Sequence, residues 1–203
     1  MSEPLAVPKI KLRIENLSDL VFGLALSIGS IVLISKLPQT PADLETGILL
    51  FGASFLLVVW IWSGYTTTMT ALPYEVRGTF LLNITLLFCV AVEPYLFYVL
   101  ADDQSSLLEF SSSVYAVDVG AMLFVLAGIV RILLSEEKKQ GSRALPPARL
   151  RRFERSVVSL AIGGIMFSVS ALPFFWVQVP LGDFLRFDMW YAVMVVIFVA
   201  PRL

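Results

Sequence analysis

The chain has 203 residues, 58% of them hydrophobic and 15% charged, with a net charge of −1 and a mean hydropathy of +0.84. Soluble domains average about 25% charged residues, so this composition excludes an ordinary soluble protein and defines an integral membrane one. With no histidine and a single cysteine, Cys89, the chain has no disulfide framework, no usual zinc constellation and no Ser/His or Cys/His nucleophile pair, which sets aside most membrane hydrolases.

The opening segment MSEPLAVPKIKLRIE is too polar and proline-broken to supply the apolar core of a signal peptide. Beyond it, six apolar runs approach the roughly 17 to 25 residues that a helix needs to cross a hydrocarbon core. They are 17–35, 47–65, 80–100, 114–134, 157–177 and 184–199. The sixth is the shortest and carries Arg186 and Asp188 at its entrance, where both charges are expected to snorkel to the interface. The connections are rich in breakers and charge, as in KLPQTPADLET and ADDQSSLLEFSSS, and none is long enough for a second domain. Only the fourth connection, SEEKKQGSRALPPARLRRFER, could hold a helix of its own, beginning after the double proline. The expectation is one all-α membrane domain over residues 1–203.

Lys and Arg fix orientation, because cytoplasmic connections carry their excess. With the N-terminus inside, Lys9, Lys11, Arg13, Arg77, Arg131 and the cluster from Lys138 to Arg155 face the cytoplasm, while only Lys36 and Arg186 lie outside. Six spans then put both termini inside. The basic cluster reads as an orientation signal and a contact for anionic lipid, at about 1 kcal/mol per residue near the surface. Nothing in it calls for nucleic acid.

The first run holds most of the functional signal. Leu20, Leu24, Ser27, Ile31 and Ile34 recur at helical spacing on one face, and Gly23, Gly29, Ser18, Ser27, Ser30 and Ser35 make the helix rich in small residues. One reading is a helix packed against its neighbours, since small residues let backbones approach closely. The other is a helix at a bundle centre, where small polar groups between rings of Leu and Ile make a narrow path that is wet in places and closed by dewetting in others. Asp19 lies one turn into the membrane edge, where an unpaired carboxylate is costly and needs a partner. Ser18 or Asp19 could cap the helix N-terminus, or both could join a polar network with Arg13.

The pattern R-x-x-x-L-S-D at Arg13, Leu17, Ser18 and Asp19, at the mouth of the first of six helices, resembles the R-x-x-x-F-S-D signature of the transmembrane protein 175 family of potassium-permeable channels. WIWSGY, with Trp62, and FLLNITLLFCVAVEPY, with Asn83 and Pro94, extend the likeness, which is strong over residues 13–100. The resemblance implies the prokaryotic one-repeat form: a homotetramer in the plasma membrane whose four first helices line a central pore. It implies a hydrophobic constriction at Leu24, followed outward by Ser27 and Ile31. It also implies a hydrogen-bonded network of Arg13, Leu17, Ser18, Asp19, Trp62, Tyr65 and Asn83 that holds the pore helix in place. Leu17 replaces the family's usual phenylalanine, and Tyr65 stands where relatives often carry histidine, so the network here must be built differently. No T-V-G-Y-G filter occurs in the chain, and potassium selectivity over sodium is therefore expected to be weak to moderate. No cofactor is implied beyond the permeating ion.

Glu93 and Asp118 are the remaining acids at membrane depth, which makes them functional candidates. Their nearness to the outer interface suggests water-solvated groups in an external vestibule, where they would concentrate cations. A rival class is a secondary transporter that uses Glu93 and Asp118 as proton or sodium sites, although repeated halves are not evident. A non-conducting scaffold is a third class, and no residue spacing signals an enzyme.

Overall fold

A computed structural model describes residues 9–35, 38–72, 77–101, 107–139, 145–178 and 184–199. Of the basic residues that set the expected orientation, Lys36 and Arg143 lie outside the described residues. Six α-helices appear among those described: α1 Lys9–Ser35, α2 Pro41–Ala71, α3 Arg77–Leu100, α4 Leu108–Lys139, α5 Pro147–Ser170 and α6 Leu185–Val199. Five, α1 to α5, are long and apolar enough to cross a membrane. The chain is a multi-pass membrane protein of all-helical fold.

The helices run past the apolar runs because the flanking polar residues also favour helix. At α2 a capping box sets the start, six residues before the expected boundary. Asp43 N–H donates to Thr40 Oγ1 at 3.2 Å, Thr40 N–H donates back to Asp43 Oδ2 at 2.9 Å, and Pro41 fills the first helical position. At α5 the double proline does begin a helix, but not a separate one. Pro146 and Pro147 start a continuous helix that carries the basic stretch straight into the membrane segment. That helix then stops at Ser170 rather than at Val177, and a short 3-10 turn over Pro173–Phe175 follows. Proline at 173 offers no N–H to extend the α-helix, which is why the fifth span ends early.

The expected sixth run, 184–199, appears as α6, the shortest of the six α-helices. At fifteen residues α6 is about 22 Å long, less than a hydrocarbon core of about 30 Å.

Helix α4 forms the centre of the described fold, packed on α3 and α5 and touching α2. Ala116, Val119, Met122, Leu123, Leu126 and Ile129 are sealed along it. Its crossing with α5 depends on glycine: a Cβ on Gly120 would sit 3.1 Å from the Gly164 carbonyl oxygen, and one on Gly164 would meet the Phe124 ring at 3.0 Å. Helix α1 lies at the edge of the subunit, against α2 and α3.

Candidate functional site: the first helix and its polar anchor

The two faces of α1 differ. Ser18, Phe22, Ala25 and Gly29 turn inward at helical spacing and are buried. Leu17, Leu20, Leu24, Ile28 and Ile31 turn outward, between 47% and 60% exposed, and Arg13, Ser27 and Gly23 share that outward face. Ile34, part of the expected stripe, lies among side chains outside the described set. Ser27 donates its hydroxyl proton to Gly23 O at 2.8 Å, and Ser30 donates to Ser27 O at 2.7 Å. Bonded in this way, the Ser27 oxygen presents lone pairs to whatever passes the outward face.

The inward face is anchored by polar bonds to two other helices. Ser18 donates to Ile14 O at 2.8 Å, and its oxygen lies 2.8 Å from the Tyr65 hydroxyl of α2. Since serine has one proton, this arrangement makes Tyr65 the donor to Ser18. Asn83 Oδ1 of α3 lies 3.4 Å from the same Ser18 oxygen, and all three residues are buried. A second bond ties the helix at the next position: Trp62 Nε1 donates to Asp19 Oδ1 at 2.9 Å. The Phe22 ring packs against Tyr65, 5.9 Å between centroids.

These bonds decide the alternatives left open for Ser18 and Asp19. Neither caps the helix, because α1 begins nine residues before Ser18, at Lys9. Their side chains serve contacts between helices instead. Ser18, Asp19, Trp62, Tyr65 and Asn83 thus cluster, with the tyrosine hydroxyl occupying the position implied for an imidazole. Leu17 and Arg13 do not join the cluster; both are exposed on the outward face, and Arg13 makes no polar contact among the described residues.

The membrane acids require a correction. Glu93 is 3% exposed and faces the subunit interior, where it accepts hydrogen bonds from Ser54 Oγ and from the Tyr115 hydroxyl at 3.3 Å. It is not a solvated vestibule group. Pro94 follows it inside α3 and leaves the Val90 carbonyl without its helical donor. Asp118 is half-buried near the Cys89 thiol, and its Oδ2 is sealed from solvent with no partner among the described residues. Neither acid lies on the outward face of α1.

Arg186 corrects a second expectation, for it does not snorkel. Its side chain is fully buried and gathers the carbonyl ends of α5 and the start of α4: Nε donates to Ser170 O at 2.8 Å, Nη1 to Glu109 O at 2.9 Å and to Ser112 Oγ, and Nη2 to Leu172 O at 3.2 Å. The Trp176 ring lies 5.2 Å from its guanidinium carbon. Cationic donors suit the C-terminal end of a helix, whose last carbonyls lack intrahelical partners.

The described helices form a membrane bundle around α4, with the small-residue first helix at its edge, bonded to α2 and α3 on one face and exposed on the other. No protein-family model and no curated protein matches the chain. Solved structures do match. A lysosomal potassium-selective channel TMEM175 homologue from Chamaesiphon minutus superposes with a TM-score of 0.64 at 17% identity, covering 95% of this chain and 98% of the homologue. A variant of the potassium channel MtTMEM175, solved with a nanobody–MBP fusion, gives 0.57 at 21% identity over 94% and 91%. The chain has the fold of these TMEM175 homologues over nearly its whole length.

Proposed function

We propose that the chain is a prokaryotic one-repeat member of the TMEM175 family and forms a homotetrameric potassium-permeable leak channel in the plasma membrane. Both termini face the cytoplasm, with α6 crossing as a short sixth span that the bilayer accommodates by thinning locally, and α1 of each subunit lines the pore. The observation that carries this reading is the two-sided α1: an outward stripe of Leu17, Leu20, Leu24, Ser27 and Ile31 on a helix whose inward face is bonded to α2 and α3. Lipid alone would explain the leucines. It gives no reason to anchor the other side with Ser18, Asp19, Trp62, Tyr65 and Asn83, whose bonds fix the rotation of the helix. A helix so fixed holds the Leu24 ring at one radius, closes the path by dewetting, and offers Ser27 oxygens next to it. With no carbonyl filter, preference for potassium arises from the lower cost of stripping its hydration shell and stays weak to moderate.

Ion flux from liposomes holding the purified protein tests the reading. Potassium is expected to leave without a coupled solute and faster than sodium, and Leu24→Ala is expected to raise the flux several-fold. Saturable flux that requires a second solute or a proton or sodium gradient would replace the channel with the transporter reading at Glu93 and Asp118. Absence of flux from inserted tetramers would end both.

A further inference from the structure

Helix α5 packs on α4 and α6, and α2 packs on α1 and α4, so α2 and α5 share no extended contact. Between them, floored by α4, runs a groove of about 400 Å³. Its composition changes along its length. Around Gly64 its walls hold Leu126 of α4 and Leu160 of α5, with Ser63 at the same level; toward the start of α5 they carry the Ser156 hydroxyl and then Arg149 and Arg152. From Arg149 to Leu160 is eleven residues of helix, about 16 Å along the axis. Gly64 opens the α2 wall: a Cβ there would meet the Leu126 side chain at 3.2 Å.

The basic end has no occupant of its own. Arg149 and Arg152 form no ion pair, and the Ser63 and Ser156 hydroxyls donate no hydrogen bond, among the described residues. On α5, Arg149 and Ser156 share one face with Phe153 and Leu160; Arg152 stands at the border of that face, and Arg151 and Arg155 project from the flank beyond it, which Arg152 also lines, all four arginines being exposed. The Ser156 hydroxyl and the guanidinium forks match the acceptor geometry of a phosphodiester, and the end lined by Leu126 and Leu160 matches an acyl chain. We propose that this groove is a binding site for one anionic phospholipid of the cytoplasmic leaflet, its phosphate held by Arg149 and Arg152 and a chain lying along Leu126 and Leu160. The proposal rests on the orientation that puts the start of α5 in the cytoplasm. It does not require the protein to conduct.

Native mass spectrometry of the intact protein, released from nanodiscs of mixed phosphatidylglycerol and phosphatidylcholine, reads the lipid directly. Wild type is expected to retain phosphatidylglycerol in preference to phosphatidylcholine, one copy per subunit. Arg149→Gln/Arg152→Gln is expected to weaken that retention roughly thirtyfold or more, from the loss of two charge-assisted contacts to the phosphate. Arg151→Gln/Arg155→Gln removes the same charge from the same helix and is expected to leave retention within about threefold of wild type. Inorganic phosphate at millimolar concentration is expected not to displace the lipid. Equal loss in both double variants would mean diffuse surface attraction and overturn the site, as would displacement by inorganic phosphate. Unchanged retention with dissociation of the assembly in the first variant would mean that a neighbouring subunit, not lipid, fills the groove. Retention is read without flux, so its failure leaves the channel reading standing, and failure of flux leaves the lipid site standing.

Discussion

The Tyr65 hydroxyl is the point where α2 takes hold of α1, and it does so in a buried setting where an unmade bond is costly. Hydrogen bonds between membrane helices contribute about 0.6 kcal/mol on average and up to about 1.7. Tyr65→Phe and Ser18→Ala are each expected to lower stability in detergent by about 1 kcal/mol. The double variant is expected to cost clearly less than their sum, since both remove one bond. Strict additivity in thermal unfolding would show that the contact contributes nothing. At this scale Ser18 and Asp19 are readable from the residues, as polar groups at the threshold of an apolar run, whereas Trp62, Tyr65 and Asn83 are marked only by the family resemblance. Ser54 and Tyr115, the partners of Glu93, carry no such signal, because their meeting depends on how α2, α3 and α4 pack. Arg186 departs from expectation for a related reason. Its closeness to a span end suggests escape to water, whereas the loose carbonyls at the end of α5 and the Trp176 ring, both a short way upstream in the chain, give a buried guanidinium all the acceptors it needs.

Among elements, α4 and α5 depend on one another most closely, through a crossing with room for no side chain at Gly120. Gly120→Leu would press into the Gly164 backbone and Ser168, and backbone cannot turn aside as a flexible side chain can. Overpacking of this kind costs about 1 to 3 kcal/mol. Gly120→Leu is therefore expected to lower the unfolding temperature by several degrees, with α1 and its polar anchor intact. An unchanged temperature would mean that the crossing is looser than its glycines imply. The existence of α1 to α5 is legible from apolar runs alone, since little else in a chain satisfies backbone groups in lipid. Their bounds are not. KIKLRIEN before the first run and PARLRRFER before the fifth are helix-favouring segments whose charges end the apolar signal without ending the helix. Beyond Ser170 the mismatch reverses: Ala171 and Leu172 continue the apolar run, yet Pro173 prevents the helix from following them.

For the whole molecule, a single subunit encloses no path of its own along α1, whose outward stripe faces away from α2 and α3. In the proposed tetramer, four such stripes meet to enclose the conduction path. The lone native cysteine is buried on α3, so Cys89→Ala provides a background free of reactive thiols. In it, Leu24→Cys places a thiol on the stripe, Ala25→Cys one on the anchored face, and Phe88→Cys one on the exposed surface of α3. Potassium flux is then measured before and after a charged methanethiosulfonate reagent. The account predicts that modification blocks flux through the Leu24→Cys channel while leaving Ala25→Cys and Phe88→Cys unaffected. Equal sensitivity at Leu24 and Phe88, or none at Leu24 with labelling verified by mass, would contradict a pore lined by the first helix.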